Sequence, residues 1–188
     1  RGINMSKNLS WKMLSEETII KDPWIDLRAS TCLLPTGLTI SPFYVNHLTD
    51  FSVVVAVTPD PERKVILVRQ YRHGVEKVLL ELPAGCIEVG ENPKDAATRE
   101  LLEETGYKAG HMEFMFQIAP NATNCTSYAQ CYLAWDAEQV EAQHLDETES
   151  LEVVILESSE VRRLLREGGF EQAVHVAALY RAMELGAL

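Results

Sequence analysis

Two runs rich in β-branched residues, 51–58 (FSVVVAVT) and 64–70 (KVILVRQ), flank Pro59-Asp60-Pro61-Glu62. Branching at Cβ favours extended backbone and the proline-bearing tetrapeptide is a turn signal, so the runs are predicted to pair as strands. A short strand is expected at 78–82, ended by Pro83-Ala84-Gly85. The period then changes. Over 93–105, Ala96, Ala97, Leu101 and Leu102 fall at helical spacing off the charged face. Asn92 stands as the N-cap, Pro93 as the first helical residue and Gly106 just past the last turn. Strands are predicted at 112–118, 128–135 and 151–156. A helix over 159–167, closed by Gly168-Gly169, and an Ala-rich amphipathic helix over 171–185 follow.

Residues 5–50 differ, with short segments at 11–20, 27–34 and 38–46 and a hairpin-type turn at Pro35-Thr36-Gly37. They predict a small antiparallel β extension that buries little alone and must pack on the main domain or on a second subunit. Strands first, one central helix and helices at the end give an α+β layered domain over 51–188. There is no internal repeat and no low-complexity tract.

Composition narrows the class. A chain of 188 residues, 46% hydrophobic and 24% charged, suits one globular domain with a short extension. No apolar run approaches the ~18–20 residues of a membrane span, so no membrane association is expected. With 17 Lys plus Arg against 28 Asp plus Glu, the net charge of −11 repels phosphate backbones and disfavours nucleic acid as a partner. A small phosphate ligand then needs local positive charge. Cys32, Cys86, Cys125 and Cys131 show no metal-like spacing and read as free thiols in a reducing compartment, most simply the cytoplasm. Glycosylation patterns at Asn8, Asn121 and Asn124 have no secretory signal ahead of them and read as chance matches. Residues 1–4 read as an addition ahead of a native start at Met5.

The chemistry concentrates in residues 85–107, GCIEVGENPKDAATRELLEETGY. Glu100, Glu103 and Glu104 stand at i, i+3 and i+4 and share a helix face. Like charges there repel by a few tenths of a kcal/mol per pair, roughly, unless something neutralises them. An oxygen-only donor set points to a hard divalent ion, Mg2+ or Mn2+. A solvated acidic face is the alternative that the charge run alone leaves open.

Gly85, five residues, Glu91, seven residues, Arg99-Glu100-Leu101, one residue, Glu103-Glu104, one residue and Gly106-Tyr107 together resemble the Nudix box. The resemblance implies an α/β/α sandwich around a mixed sheet from about residue 50 onward. It implies that Glu100 and Glu104 bind metal together with the backbone carbonyl of Ala84. Glu103 would be a further ligand or hold a metal-bound water, and Arg99 would orient carboxylates such as Glu91. Gly85 and Gly106 would serve backbone geometry.

Outside the box, Arg69-Gln70-Tyr71-Arg72-His73, Glu81-Leu82-Pro83-Ala84-Gly85 and the β extension resemble the ADP-ribose pyrophosphatase group of nucleoside-diphosphate-sugar hydrolases. That likeness implies that Arg69 or Arg72 reaches a diphosphate, since guanidinium forks match phosphate oxygens. Ala119-Pro120-Asn121 lies where the group places a proline, although Ala122-Thr123-Asn124 departs from a glycine-rich continuation. In Asp146-Glu147-Thr148-Glu149 it implies Glu147 as general base and Glu149 as a further ligand, without fixing which is which. Aromatic residues of the extension, Trp24, Phe43 and above all Tyr44, are candidates to stack on the base. The extension is expected to join a homodimer and wall the base pocket.

The implied reaction is Mg2+-dependent hydrolysis of a nucleoside-diphosphate sugar, ADP-ribose giving AMP and ribose 5-phosphate, with Mn2+ as substitute. Two readings stay open beside it. One is another substrate of the same family, such as GDP-mannose. The other is a nucleotide-sensing module without turnover, against which the complete carboxylate set argues.

Overall fold

The structure, a computed structural model, describes residues 8–188, so the expected start at Met5 lies outside the described residues. The described chain divides into two compact units, residues 8–48 with 121–127, and residues 49–120 with 128–188.

In the first unit, β1 (Lys12–Lys21), β2 (Asp26–Leu33) and β3 (Thr39–Asn46) form an antiparallel sheet in that order. The Asp22 carboxylate accepts the N–H groups of Trp24 and Ile25 at 2.7 and 2.9 Å and closes the first turn. Gly37, at φ 87°, makes the second turn in a conformation that few other residues adopt. The ring of Trp11 packs edge-on against Phe43 at 5.3 Å. Every residue of β1 is nevertheless exposed.

In the second unit a seven-stranded mixed sheet carries β4 (Phe51–Val57), β5 (Lys64–Arg72), β6 (Lys77–Glu81), β7 (Ala84–Cys86), β9 (His111–Ile118), β10 (Ala129–Trp135) and β12 (Leu151–Glu157). The main path runs β12-β5-β4-β10-β9, with β4 and β10 parallel and the other pairs antiparallel. Strand alternation builds two cores. Val53, Val55 and Val57 face α2 (Ser158–Glu167) and α3 (Ala173–Glu184), while Val54 and Ala56 face α1 (Pro93–Thr105). The sheet is thus covered on both sides, the α/β/α sandwich expected.

The predicted pairing of β4 with β5 holds only at Ala56–Ile66 and Val57–Val65. Beyond these the strands part, β5 pairing with β6 and β4 with β7. One expectation is corrected here. Pro83 ends the preceding strand, but Ala84-Gly85-Cys86 does not stay a turn; it forms β7 against Val53, Ser52 and Phe51. Proline lacks a ladder donor and interrupts pairing, yet the buried backbone after it still requires partners. A second ribbon, β8 (Tyr107–Lys108) with β11 (Glu138–Gln139), is too short to leave a periodic signal. The helix predicted at 171–185 begins at Ala173 and ends at Glu184. All four cysteines are free thiols, and no helix of the described residues is long and apolar enough to cross a membrane.

Candidate active site

The split between β4 and β5 admits β7 into the sheet, and α1 lies across it. Asn92 Oδ1 accepts the Lys94 N–H at 2.9 Å, Pro93 opens the helix, and Gly106, at φ 74°, ends it. Burial of Ala96, Ala97 and Leu101 fixes the rotation of α1, and that rotation carries Glu100 and Glu104 inward. They are 9% and 5% exposed, so this is no solvated acidic face; Glu103, one position round, is half-exposed. Gly85 makes the approach feasible, because a Cβ there would stand 2.1 Å from the Glu100 carboxyl carbon. Glu104 Oε2 accepts the Ala84 N–H at 3.0 Å.

Arg99 ties the entering loop to the helix. Its Nε and Nη2 donate to Glu91 at 2.9 and 3.0 Å, and Nη1 donates to Glu100 and Glu103 at 2.7 and 3.0 Å. Nη2 also reaches the Cys86 carbonyl at 3.1 Å. Burial pushes the Glu104 carboxyl up to about 8, with the charges of Glu100 and Glu149 adding to the effect. Burial likewise raises Glu100, against the pull of Arg99. Both shifts arise chiefly from burial of the carboxylates, with neighbouring anions adding to it, and a divalent cation would offset both. Among the described residues no three such groups already converge on one point; Glu100 is drawn to Arg99 and Glu104 to the Ala84 amide. The donor set itself, all oxygen and net anionic, fits a hard divalent ion.

The loop before β12 is pinned to the end of α1. Val140 N–H donates to the Gly106 carbonyl, His144 N–H to the Glu103 carbonyl and Gln143 Nε2 to the Glu104 carbonyl, at 2.9, 2.9 and 2.6 Å. These bonds satisfy carbonyls that the helix end leaves unpaired. Further along, Glu149 lies close enough to act electrostatically on Glu100 and Glu104. Its Oε2 accepts the Asp146 N–H at 3.1 Å. Glu147 is exposed.

Residues 49–177 match the NUDIX domain, and residues 11–46 match the nucleoside diphosphate sugar hydrolase N-terminal domain. This chain belongs to the Nudix family. Among its relatives, a methanol dehydrogenase activator of Bacillus methanolicus is 33% identical over 87% of this chain and 87% of its own length. An ADP-ribose pyrophosphatase of Bacillus subtilis (strain 168) is 34% identical over 79% of each chain. An ADP-sugar pyrophosphatase of Mus musculus is 39% identical over 61% of this chain and 57% of its own. A crystal structure of an ADP compounds hydrolase superposes with a TM-score of 0.81 at 26% identity, covering 97% of this chain and all of that one. The box resemblance and the fold expected from it are borne out, and the protein is a Nudix hydrolase.

Within this Nudix domain the box residues Gly85, Glu91, Arg99, Glu100, Glu103, Glu104 and Gly106 come together as described, with Ala84 beside them. The strand arginines separate. Positions 69 and 72 of one strand point to opposite faces; Arg69 is exposed and pairs with Glu152 at 3.5 Å. Arg72 instead sits within electrostatic reach of Glu104. Tyr44 is exposed on β3 in the first unit. Sequence reasoning named Glu81 only as part of a segment, with no role of its own, and passed over His175 and Gln143. A glutamate inside the apolar run VLLEL was a readable signal for Glu81. His175 and Gln143 had none, since only tertiary packing brings them to their partners.

Proposed function

We propose that this Nudix hydrolase cleaves the diphosphate of an ADP-sugar, ADP-ribose giving AMP and ribose 5-phosphate. The observation that carries the reading is the pair of nearly buried carboxylates, Glu100 seated over Gly85 and Glu104 on the Ala84 amide, with Arg72 in electrostatic reach of Glu104. Relatives named for ADP-ribose and ADP-sugar pyrophosphatase activity support the substrate class. Glu100, Glu104 and Glu149, with the Ala84 carbonyl, would hold Mg2+, or Mn2+ in its place. Such an ion neutralises phosphate oxygens and acidifies the attacking water.

The chain's own residues do the rest. Arg99 holds Glu91, Glu100 and Glu103 in register, and Glu103 is exposed enough to orient a water. Arg72 donates to the diphosphate, with Arg69 on the opposite face as the lesser candidate. Water adds to one phosphorus, the bridging P–O bond breaks with its oxygen leaving on the departing phosphate, and the water's proton passes to Glu147 on the loop that also carries Glu149. The extension belongs to the same proposal as a self-association surface. Trp11, Ile19 and Ile20 on or beside β1 and Trp24 after it are exposed, and an apolar patch of this kind is covered in a stable protein. A second copy would cover it, giving a homodimer in which Tyr44 helps to receive the base. A cytoplasmic location completes the reading.

Phosphatase-coupled phosphate release from ADP-ribose, other ADP-sugars and GDP-mannose, with Mg2+ and with EDTA, tests it. ADP-ribose consumption that yields AMP and stops in EDTA is expected. Preference for GDP-mannose would overturn the base assignment, and binding without turnover would overturn the catalytic one.

A further inference from the structure

Glu81 ends β6 with none of its surface exposed, a carboxylate inside a strand whose other inward residues are aliphatic. Arg72 Nε donates to its Oε1 and Oε2 at 3.0 and 3.2 Å, and Arg72 Nη2 donates to Oε2 at 2.6 Å. The third guanidinium nitrogen, Nη1, has no hydrogen-bond partner among the described residues, and the Arg72 side chain is 40% exposed. From the other side of the sheet, α3 and the residue before it complete the arrangement. Gln172 Nε2 donates to Glu81 Oε1 at 3.2 Å, and His175 Nδ1 accepts the N–H of Leu82, the next residue, at 3.1 Å.

An ion pair with its carboxylate fully buried is a poor source of stability, because the cost of desolvating that charge offsets the attraction, and an apolar pair of the same volume often serves as well. The arrangement does something an apolar pair does not. It clamps a guanidinium by two of its three nitrogens beside the acidic cluster and leaves the third for an anion. We infer that Glu81, itself held by Gln172 and by His175 through the Leu82 amide, is a positioning residue that presents Arg72 to the substrate diphosphate. This rests on the proposed hydrolysis of an ADP-sugar, and extends it by making the C-terminal helix part of substrate recognition. Glu81 does not touch the substrate; it acts through Arg72.

The test is a double-mutant cycle with Glu81→Gln, Arg72→Gln and both together, which removes one charge, the other, or the pair. Glu81→Gln is expected to raise the Michaelis constant for ADP-ribose about tenfold while kcat stays within about threefold, the pattern of a lost binding contact to a charged group. The double variant should bind no worse than Arg72→Gln alone. An unchanged Michaelis constant, or the same tenfold loss in both backgrounds, overturns the inference.

A second readout needs neither metal nor turnover. The Arg72 Nε–Hε resonance, identified by its disappearance in Arg72→Gln, should exchange slowly with solvent in the native protein and fast in Glu81→Gln. It should shift on titration with inorganic pyrophosphate. A signal equally protected in both proteins overturns the positioning role. If Glu81→Gln does not fold, Gln172→Ala, at the edge of the arrangement, carries the same measurements with a smaller expected rise of about two- to threefold in the Michaelis constant. If the native protein hydrolyses no ADP-sugar, the substrate reading fails by itself, and the resonance with its pyrophosphate response still decides the role of Glu81.

Discussion

Gly85 and Glu100 meet so closely that the glycine is a condition of the site. A Cβ at position 85 would lie 2.2 Å from both carboxylate oxygens of Glu100 as well as 2.1 Å from their carbon. The obstructed group is the far end of a flexible side chain, so Gly85→Ala should fold while Glu100 swings away. Displacing a reacting geometry by about 1 Å costs on the order of a hundredfold in rate. A loss of that size with a melting temperature near the native value is therefore expected, from kinetics and thermal denaturation of the same sample. Glu104 supports a second expectation. Its folded carboxyl titrates at about 8 against 4.5 for an ordinary one. The native state thus binds the proton more tightly than the unfolded chain does. Its contribution to stability is complete below the ordinary carboxylate value and is lost as pH rises from there through about 8. The loss amounts to roughly 4–5 kcal/mol in metal-free protein. Melting curves in EDTA should fall in temperature from pH 5 to pH 8, and added Mg2+ should help more at pH 8 than at pH 6. Glu104→Gln should flatten most of that slope.

At the scale of elements, α1 is placed by its two ends. The N-terminal Asn92 cap and Pro93 are local devices, legible as such, and the helix spans the predicted residues. The C-terminal end is legible only in part: Gly106 marks it, but the loop fastened there is not written in any spacing. A Cβ on Gly106 would stand 2.2 Å from the Glu141 carbonyl oxygen, a backbone atom that cannot step aside. Gly106→Ala also forces alanine into left-handed backbone, at about 1–3 kcal/mol for that conformation alone. Urea denaturation should show a loss at the upper end of this range or beyond. Gln143→Ala removes only a side-chain bond to the Glu104 carbonyl and should cost about 1 kcal/mol. Its effect on turnover should be the larger one, because the same loop carries Glu147 and Glu149. Equal turnover in Gln143→Ala and the native protein would detach that loop from catalysis.

At the scale of the whole molecule, the proposed dimer turns on the extension. Removing it through Asn46 should leave the Nudix domain folded, since that domain's two cores contain no residue of β1–β3. Light scattering should find two copies in the native protein and one, or aggregate, in the shortened one, whose Michaelis constant should rise. A single copy of full-length protein with full activity would defeat the dimer. The sequence alone determined whatever depends on neighbours along the chain. The span of α1 and its caps follow from local backbone preference, and the placing of Glu100, Glu103 and Glu104 on one face follows from helical period. The box spacing determined the family for the same reason, being contained in a single loop and helix. Tertiary structure decided whatever depends on residues far apart in sequence. It turned Glu100 and Glu104 inward rather than to water, because the rotation of α1 is set by packing on Val54, Ala56 and Ile66. It seated Arg72 on Glu81, because β5 parts from β4 and takes β6 as its partner. It brought Gln172 and His175 to that pair across some 90 residues of chain, a distance over which only the folded sheet relates one side chain to another.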